Sequence, residues 1–415
     1  MKEPVLLAWP IAGRFGGTET MIARLARGFR DAGHPVWVLC RDTPMVPRYR
    51  EAGATVMTLD ALEWEPSLQR SEEFLQTTAR IIAALPSGCR PRIITFDAKG
   101  LMIGGMVAMA TQGRLFAYVV HPLILASVRA EVLQKLVSLG RLFSINEGCL
   151  DPMMPALGEL RAAVPLLPVA IPESEPLQAQ PREQGQLRIL SVARLEPDKR
   201  YLFGLVRAMA AIRSHFPRAT LTIVGDGSLR KALQEEVQRV SSSTVSRMVG
   251  AVPPEQLADF YRDCDVYVGM GTTALLAAMY GRPTLVVRID DEEQHCLGLL
   301  QHQRGFNFGE SDPATNVVPL VDAVVETCAR EERRQELARE AHAYVMAHHT
   351  ERGVMPRVLS HVEQAKDGPV LVTHDDSISP AGETRWLARR TKQREPRVER
   401  WIAAARRAAD VLRAR

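Results

Sequence analysis

The chain has few cysteines, no long apolar run and almost no excess charge, and each shortage removes a class of function. Its six cysteines (Cys40, Cys89, Cys149, Cys264, Cys296 and Cys328) are scattered over 415 residues with no Cys-x-x-Cys pair. Such spacing argues against a zinc site and for reduced thiols. No stretch reaches the roughly 18 apolar residues of a membrane-spanning helix, and no signal-peptide pattern opens the chain. The expectation is a cytoplasmic protein. A net charge of +4 leaves no bulk nucleic-acid footprint. Neither Gly-x-Gly-x-x-Gly with a following acid nor a P-loop occurs, which disfavours a dinucleotide-dependent oxidoreductase. What is present is ample apolar material: 46% hydrophobic residues suffice for two domains with separate cores.

The most informative stretch runs from Ile189 to Gly227. An apolar run, Ile189-Leu190-Ser191-Val192, opens onto Arg194 and Lys199. An amphipathic helix follows, then Leu221-Thr222-Ile223-Val224 and the turn Gly225-Asp226-Gly227. This is a strand–loop–helix–strand unit with two cations at the mouth of a parallel sheet, where open α/β sheets bind ligands. Arg supplies a fixed fork of donors and Lys a compact charge, a pairing suited to a diphosphate.

The first half alternates in the same way. Val5 to Trp9 reads as a buried strand. A Gly-rich turn, Gly13-x-x-Gly16-Gly17-Thr18-Glu19, leads into a helix predicted over 20–32, and Val36 to Cys40 reads as the next strand. Further strands are expected at 92–96, 115–120 and 142–145. Glycines at such a turn let backbone N–H groups approach a phosphate at a helix N-terminus. Residues 166–188 are Pro-, Glu- and Gln-rich and read as a linker. The expected domains are 1–168, a linker 169–187, 188–350, and a basic helical tail 351–415.

Four segments in order resemble the donor-binding domain of retaining GT-B glycosyltransferases of family 4. They are the Arg194/Lys199 unit, Gly250 to Leu257, Tyr261 to Val268, and Ala278 to Val287 with its Gly281-Arg282-Pro283 turn. Gly16-Gly17-Thr18-Glu19 is similar to the same family's first turn. The resemblance implies a GT-B architecture, two Rossmann-like α/β domains facing across a cleft. It implies transfer of a sugar from a nucleotide diphosphate sugar, UDP- or GDP-linked, to a small-molecule or glycan acceptor, with no metal or other cofactor. Donor contacts carried over on it are Gly16, Gly17, Arg194, Lys199, Gly225, Gly227, Gly250, Gly269, Gly271, Thr272 and Thr273. His121, after the strand at 115–120, is carried over as a group near the sugar and acceptor. Asp97 and Asn146-Glu147 are weaker candidates after neighbouring strands.

One departure stands out. The family carries two glutamates eight positions apart before the Gly-x-Pro turn, one for the transferred sugar and one for the ribose. Counting back places them at Val268 and Leu276, both apolar here. The Gly269-Met270-Gly271-Thr272-Thr273 turn and its helix remain, and a helix N-terminus can hold phosphate. Asp290-Asp291-Glu292-Glu293 reads as a solvated loop or as replacement carboxylates for the sugar. Asp263-Cys264-Asp265 straddles a helix end and a strand start, the wrong place for a metal loop. The alternative function is a catalytically degenerate nucleotide-sugar-binding partner of another transferase. The tail from 385 to 415 holds eleven Lys or Arg against three acids. A helix crossing back onto the first domain is expected there, with peripheral membrane contact disfavoured by its Ala-rich face.

Overall fold

A computed structural model describes residues 2–10, 16–59, 72–122, 124–125, 128–178, 180, 182–240, 245–310, 317–372 and 395–414. The chain forms two compact units, 1–167 with 355–415, and 168–354.

In the first unit, β1 (Val5–Trp9), β2 (Val36–Arg41), β3 (Thr55–Leu59), β4 (Arg92–Thr95), β5 (Arg114–Val119) and β6 (Leu142–Ser144) form one sheet. Their spatial order is β3-β2-β1-β4-β5-β6, and every pairing is parallel. All five residues of β1 are buried, as an unbroken apolar run covered on both faces must be. Helix Gly17–Asp31 turns Met21, Ile22, Leu25, Ala26 and Phe29 onto the sheet. The order reverses direction between β1 and β4, which makes that junction the switch point of the sheet. Helix Ala98–Thr111 starts there so close to β1 that a Cβ on Gly100 would lie 2.8 Å from the Ala8 carbonyl oxygen.

The second unit repeats the plan with β7 (Gln186–Val192), β8 (Arg218–Val224), β9 (Ser246–Gly250), β10 (Val266–Gly269) and β11 (Thr284–Val286). A small ribbon joins β12 (His295–Cys296) to β14 (Val318–Pro319), and β13 (Gly298–Leu299) adds an antiparallel edge beside β11. The order is β13-β11-β10-β7-β8-β9, so here the switch point falls between β7 and β10. The segment expected as a free linker, 169–187, is instead fixed to this unit. Ile171 bridges Thr350, the buried Arg282 guanidinium donates to the Leu177 carbonyl at 2.7 Å, and residues 186–187 already belong to β7.

Residues from 355 onward belong to the first unit. Helix Glu395–Arg413 packs on helix Glu72–Ala84 and buries Ala405 and Ala409 completely. Arg406 donates to the Ala110 carbonyl at 2.6 Å and Arg413 to the Ile82 carbonyl at 2.7 Å. Both acceptors lie in the last turns of helices, where carbonyls lack intrahelical partners and the dipole favours cations. The alanine stripe is thus used inside the fold. No helix among the described residues is long and apolar enough to cross a membrane.

Ala409→Asp would bury an unpaired carboxylate at this seam. We expect it to lower the first unit's stability by about 3 kcal/mol or more. Calorimetry should show that unit's transition moved down; an unchanged transition would contradict the packing.

Candidate active site

In the second unit the loop after β7 is held as an extension of the strand ladder. The Ala193 N–H donates to the Val224 carbonyl at 3.0 Å and the Leu195 N–H to the Asp226 carbonyl at 2.9 Å. The Leu195 carbonyl in turn accepts from Leu229 at 2.7 Å, and the Leu195 side chain is fully buried. This lacing requires the glycine turn. Gly225 has φ +141° and Gly227 φ +155°, and a Cβ on Gly225 would lie 1.8 Å from the Ala193 carbonyl oxygen. The N–H groups of the two glycines are themselves engaged, Gly225 with the Gly250 carbonyl and Gly227 with its neighbour Asp226. Gly225 and Gly227 therefore shape the loop with their N–H groups already engaged, and Gly250 supplies the carbonyl that holds Gly225.

The loop aims two cations with different surroundings. Arg194 is exposed and has no ionic or hydrogen-bond partner among the described residues. Lys199 is largely covered and its Nζ pairs with Asp198. Arg194 thus carries its full charge to a ligand, whereas Lys199 reaches one only in competition with Asp198.

Across the switch point, β10 ends in Gly269 and helix Thr272–Met279 begins after Gly271. Gly271 has φ +71°, a backbone state that favours glycine. The N–H groups of Thr272 and Thr273, in the first turn, have no acceptor within the helix. The Thr273 hydroxyl, expected as a phosphate donor, is spent elsewhere. It donates toward the carbonyls of Val192 (2.9 Å) and Met270 (3.0 Å) and accepts from the Tyr267 hydroxyl at 2.7 Å. It does not cap the helix. Gly269 is a packing glycine, since a Cβ there would lie 2.5 Å from the Tyr267 hydroxyl oxygen. Sequence reasoning missed Tyr267, whose fully buried phenol ties the ends of β7 and β10 together. Its signal, a Tyr inside an apolar run, is indistinguishable from core.

The acidic residues sort themselves by partner. Glu292 pairs with Arg200 and, at 3.9 Å, with Arg207; Asp291 pairs with Arg288 at 3.2 Å; Glu293 lies 3.3 Å from His295. The arginine pairs of Asp291 and Glu292 weigh against the use of these two acids as replacement sugar ligands. Asp265 is fully buried against Arg188 at 2.9 Å, a structural role. Val268 is fully buried inside β10, and Leu276 packs against the core beside it, so neither of the two glutamate positions offers a polar group.

The first unit gathers its own candidates at the carboxyl edge of its sheet. Gly16 is the N-cap of helix Gly17–Asp31, extended at φ −157°, and its carbonyl accepts from the Thr20 hydroxyl at 2.7 Å. Gly13, Arg14 and Phe15 lie outside the described residues. Glu19 is buried and accepts from the Trp9 indole at 3.2 Å. His121 follows β5, with its carbonyl accepting from Ile124 at 3.3 Å. Asn146 accepts from the Cys149 N–H at 2.9 Å and Glu147 lies 3.6 Å from Arg161, both local contacts. Asp97 caps helix Ala98–Thr111 by accepting from Gly100 at 2.8 Å, while its Oδ2 is buried without a hydrogen-bond partner among the described residues. Burial pushes its carboxyl up to about 7, against the pull of the Gly100 N–H.

Comparison with known proteins matches this geometry. The family model for Glycosyl transferases group 1 matches residues 174–290, and that for Glycosyltransferase Family 4 matches residues 15–141. No curated protein sequence matches the chain. Among solved structures, Anabaena Alr3699/HepE in complex with UDP superposes with a TM-score of 0.63 at 15% identity, over 87% of this chain and 99% of that one. The lipopolysaccharide outer core galactosyltransferase WaaB gives 0.58 at 13%, over 87% and 99%. A glycosyltransferase from Rickettsia africae ESF-5 gives 0.58 at 10%, over 88% and 98%. The chain has the GT-B fold. It is a glycosyltransferase of the GT-B, family 4 type.

Gly225→Ala places a methyl against the Ala193 carbonyl at a φ that side chains rarely adopt, and should cost about 2 kcal/mol or more in denaturant unfolding of the second unit. Asp97 has a folded-state pKa raised above its unfolded value, so the native state binds the extra proton and its stability falls as pH rises from about 4 to about 7. Asp97→Asn keeps a capping side chain and removes the ionisation. It should exceed the wild type in stability by up to about 4 kcal/mol above pH 7, with the advantage vanishing toward pH 4. Parallel pH series of unfolding curves for both proteins would contradict this.

Proposed function

We propose that the protein transfers a sugar from a nucleotide diphosphate sugar, UDP-linked in the first instance, to a small-molecule or glycan acceptor with retention at the anomeric carbon. The observation that carries the reading is the pairing across the second unit's switch point. An unpartnered Arg194 stands on one side, and the free N–H groups of Thr272 and Thr273 on the other. Positive charge and oriented backbone donors together suit a diphosphate. Arg194 and Lys199 neutralise the charge that builds on the departing diphosphate, an electrostatic contribution of roughly 3–4 kcal/mol per well-placed donor. With two cations in that role the reaction proceeds without a metal ion. His121 orients the sugar or the acceptor hydroxyl, for which a neutral imidazole is suited. Support for uridine comes from the solved neighbour, which holds UDP or UDP-glucose.

The test is thermal stability with UDP, GDP, ADP and TDP, for wild type and for Arg194→Ala and Lys199→Ala. A ligand at 100 times its dissociation constant stabilises by about 2.7 kcal/mol, a shift of a few degrees. Stabilisation by UDP is expected in the wild type, abolished in Arg194→Ala and reduced in Lys199→Ala. Silence with every nucleoside diphosphate would refute the reading.

A further inference from the structure

The first unit holds a cavity that the sugar-transfer chemistry does not use. It measures about 380 Å³ and lies between helix Glu395–Arg413 and the last turns of helices Glu72–Ala84 and Ala98–Thr111. Cys89, Arg90, Gln112, Arg406, Asp410 and Arg413 line it. Cys89 and Arg90 lead into β4 and Gln112 into β5, so the cavity lies at the amino edge of the sheet. Asp97 and His121 follow the same two strands at the opposite, carboxyl edge.

Three arginines line this recess against a single carboxylate. Arg406 donates through Nε to the Ala110 carbonyl at 2.6 Å and through Nη2 to Met109 at 3.1 Å. Arg413 donates through Nη2 to Ile82 at 2.7 Å, and its Nη1 lies 3.5 Å from Asp410. Arg406 Nη1 and Arg413 Nε are left without a hydrogen-bond partner among the described residues. Arg90 is exposed and has neither an ion pair nor a hydrogen bond among them. Three arginines less one aspartate leave a formal charge of +2 around the cavity. Like charges gathered beside low-dielectric protein repel, and a bound anion offsets that repulsion. The guanidinium fork matches phosphate oxygens two at a time. The volume is also that of a small-molecule site.

We propose that this cavity binds a phosphate-bearing anion, at a site separate from the donor site of the second unit. Arg90, Arg406 and Arg413 donate to the phosphate oxygens, and Asp410 holds Arg413 in place. Soluble phosphate compounds and acidic lipid headgroups share this chemistry, so both are probed.

Cys89 reports on occupancy, because it lines the cavity and is only partly covered while the other five cysteines are buried. N-Ethylmaleimide labelling of Cys89 in the full chain, read by mass spectrometry, is followed with and without sodium pyrophosphate. It is repeated with phosphatidylcholine vesicles that contain or lack phosphatidic acid. Pyrophosphate is expected to slow the labelling, which assigns a soluble ligand; slowing by phosphatidic acid vesicles alone assigns a lipid headgroup. Arg90→Ala removes an exposed side chain without a partner and is expected to melt with the wild type. It should need about tenfold or more of the active probe for the same protection. Arg194→Ala is expected to keep the protection, so the result does not depend on the nucleotide-sugar reading. Labelling that neither probe slows overturns the proposal. So does protection that is unchanged in Arg90→Ala or lost in Arg194→Ala.

Discussion

Everything at the second unit's mouth depends on one contact, the approach of the 193–195 backbone to the Gly225-Asp226-Gly227 turn. Backbone hydrogen bonds from Ala193 and Leu195 continue the β7–β8 ladder past the end of the strands. The loop is therefore rigid where most strand-to-helix connections are free to move. A side chain at Gly225 would occupy the space of the Ala193 carbonyl, so the ladder and the glycine are a single constraint. Arg194 lies between the two laced residues. Its guanidinium can be exposed and unpaired while its Cα stays fixed, which is how a cation is aimed without being neutralised.

The same mouth shows how the fold divides its charges. Arg200 and Arg207 take Glu292, Arg288 takes Asp291, and Asp198 takes Lys199. Arg194 is left over. Across from it, the Tyr267 and Thr273 hydroxyls close on the carbonyls of Val192 and Met270, so the end of β7 and the start of the helix are held by buried hydrogen bonds. Such bonds are strong in a low-dielectric interior. The Thr272 and Thr273 N–H groups are thereby held in place rather than satisfied.

The first unit uses charge for closure. Arg406 and Arg413 reach carbonyls at the ends of two helices, and the buried Arg141 donates to the Lys366 and Gly368 carbonyls. A strongly basic tail that looks like a surface for acidic partners is spent partly on the protein's own helix ends. Asp97 is the converse case, a carboxyl whose capping bond with Gly100 fixes it in a place too dry for its charge.

Periodicity and glycine placement made much of the fold legible. Runs such as Val5–Trp9 and Val266–Gly269 are buried on both faces and so read as continuous apolar stretches. The Gly-Asp-Gly turn was visible because the close approach of the Ala193 and Leu195 carbonyls leaves no room for a side chain at Gly225 or Gly227. β3 was missed: it is an edge strand whose Thr55 and Thr58 are exposed while Val56, Met57 and Leu59 are half-buried, and five residues without strict alternation give a weak signal. The sequence by itself determined the two α/β units, the switch-point loops and the loss of both glutamates, all properties of residues close together in the chain. Only the tertiary structure decided which polar groups are spent and which are idle. Thr273 is taken by a carbonyl some eighty positions away, Glu292 by Arg200 and Arg207, and the Phe308 carbonyl is carried to Gly271 by a loop from beyond β13. Hydrogen-bond partners of that separation are set by packing, and no local pattern records them.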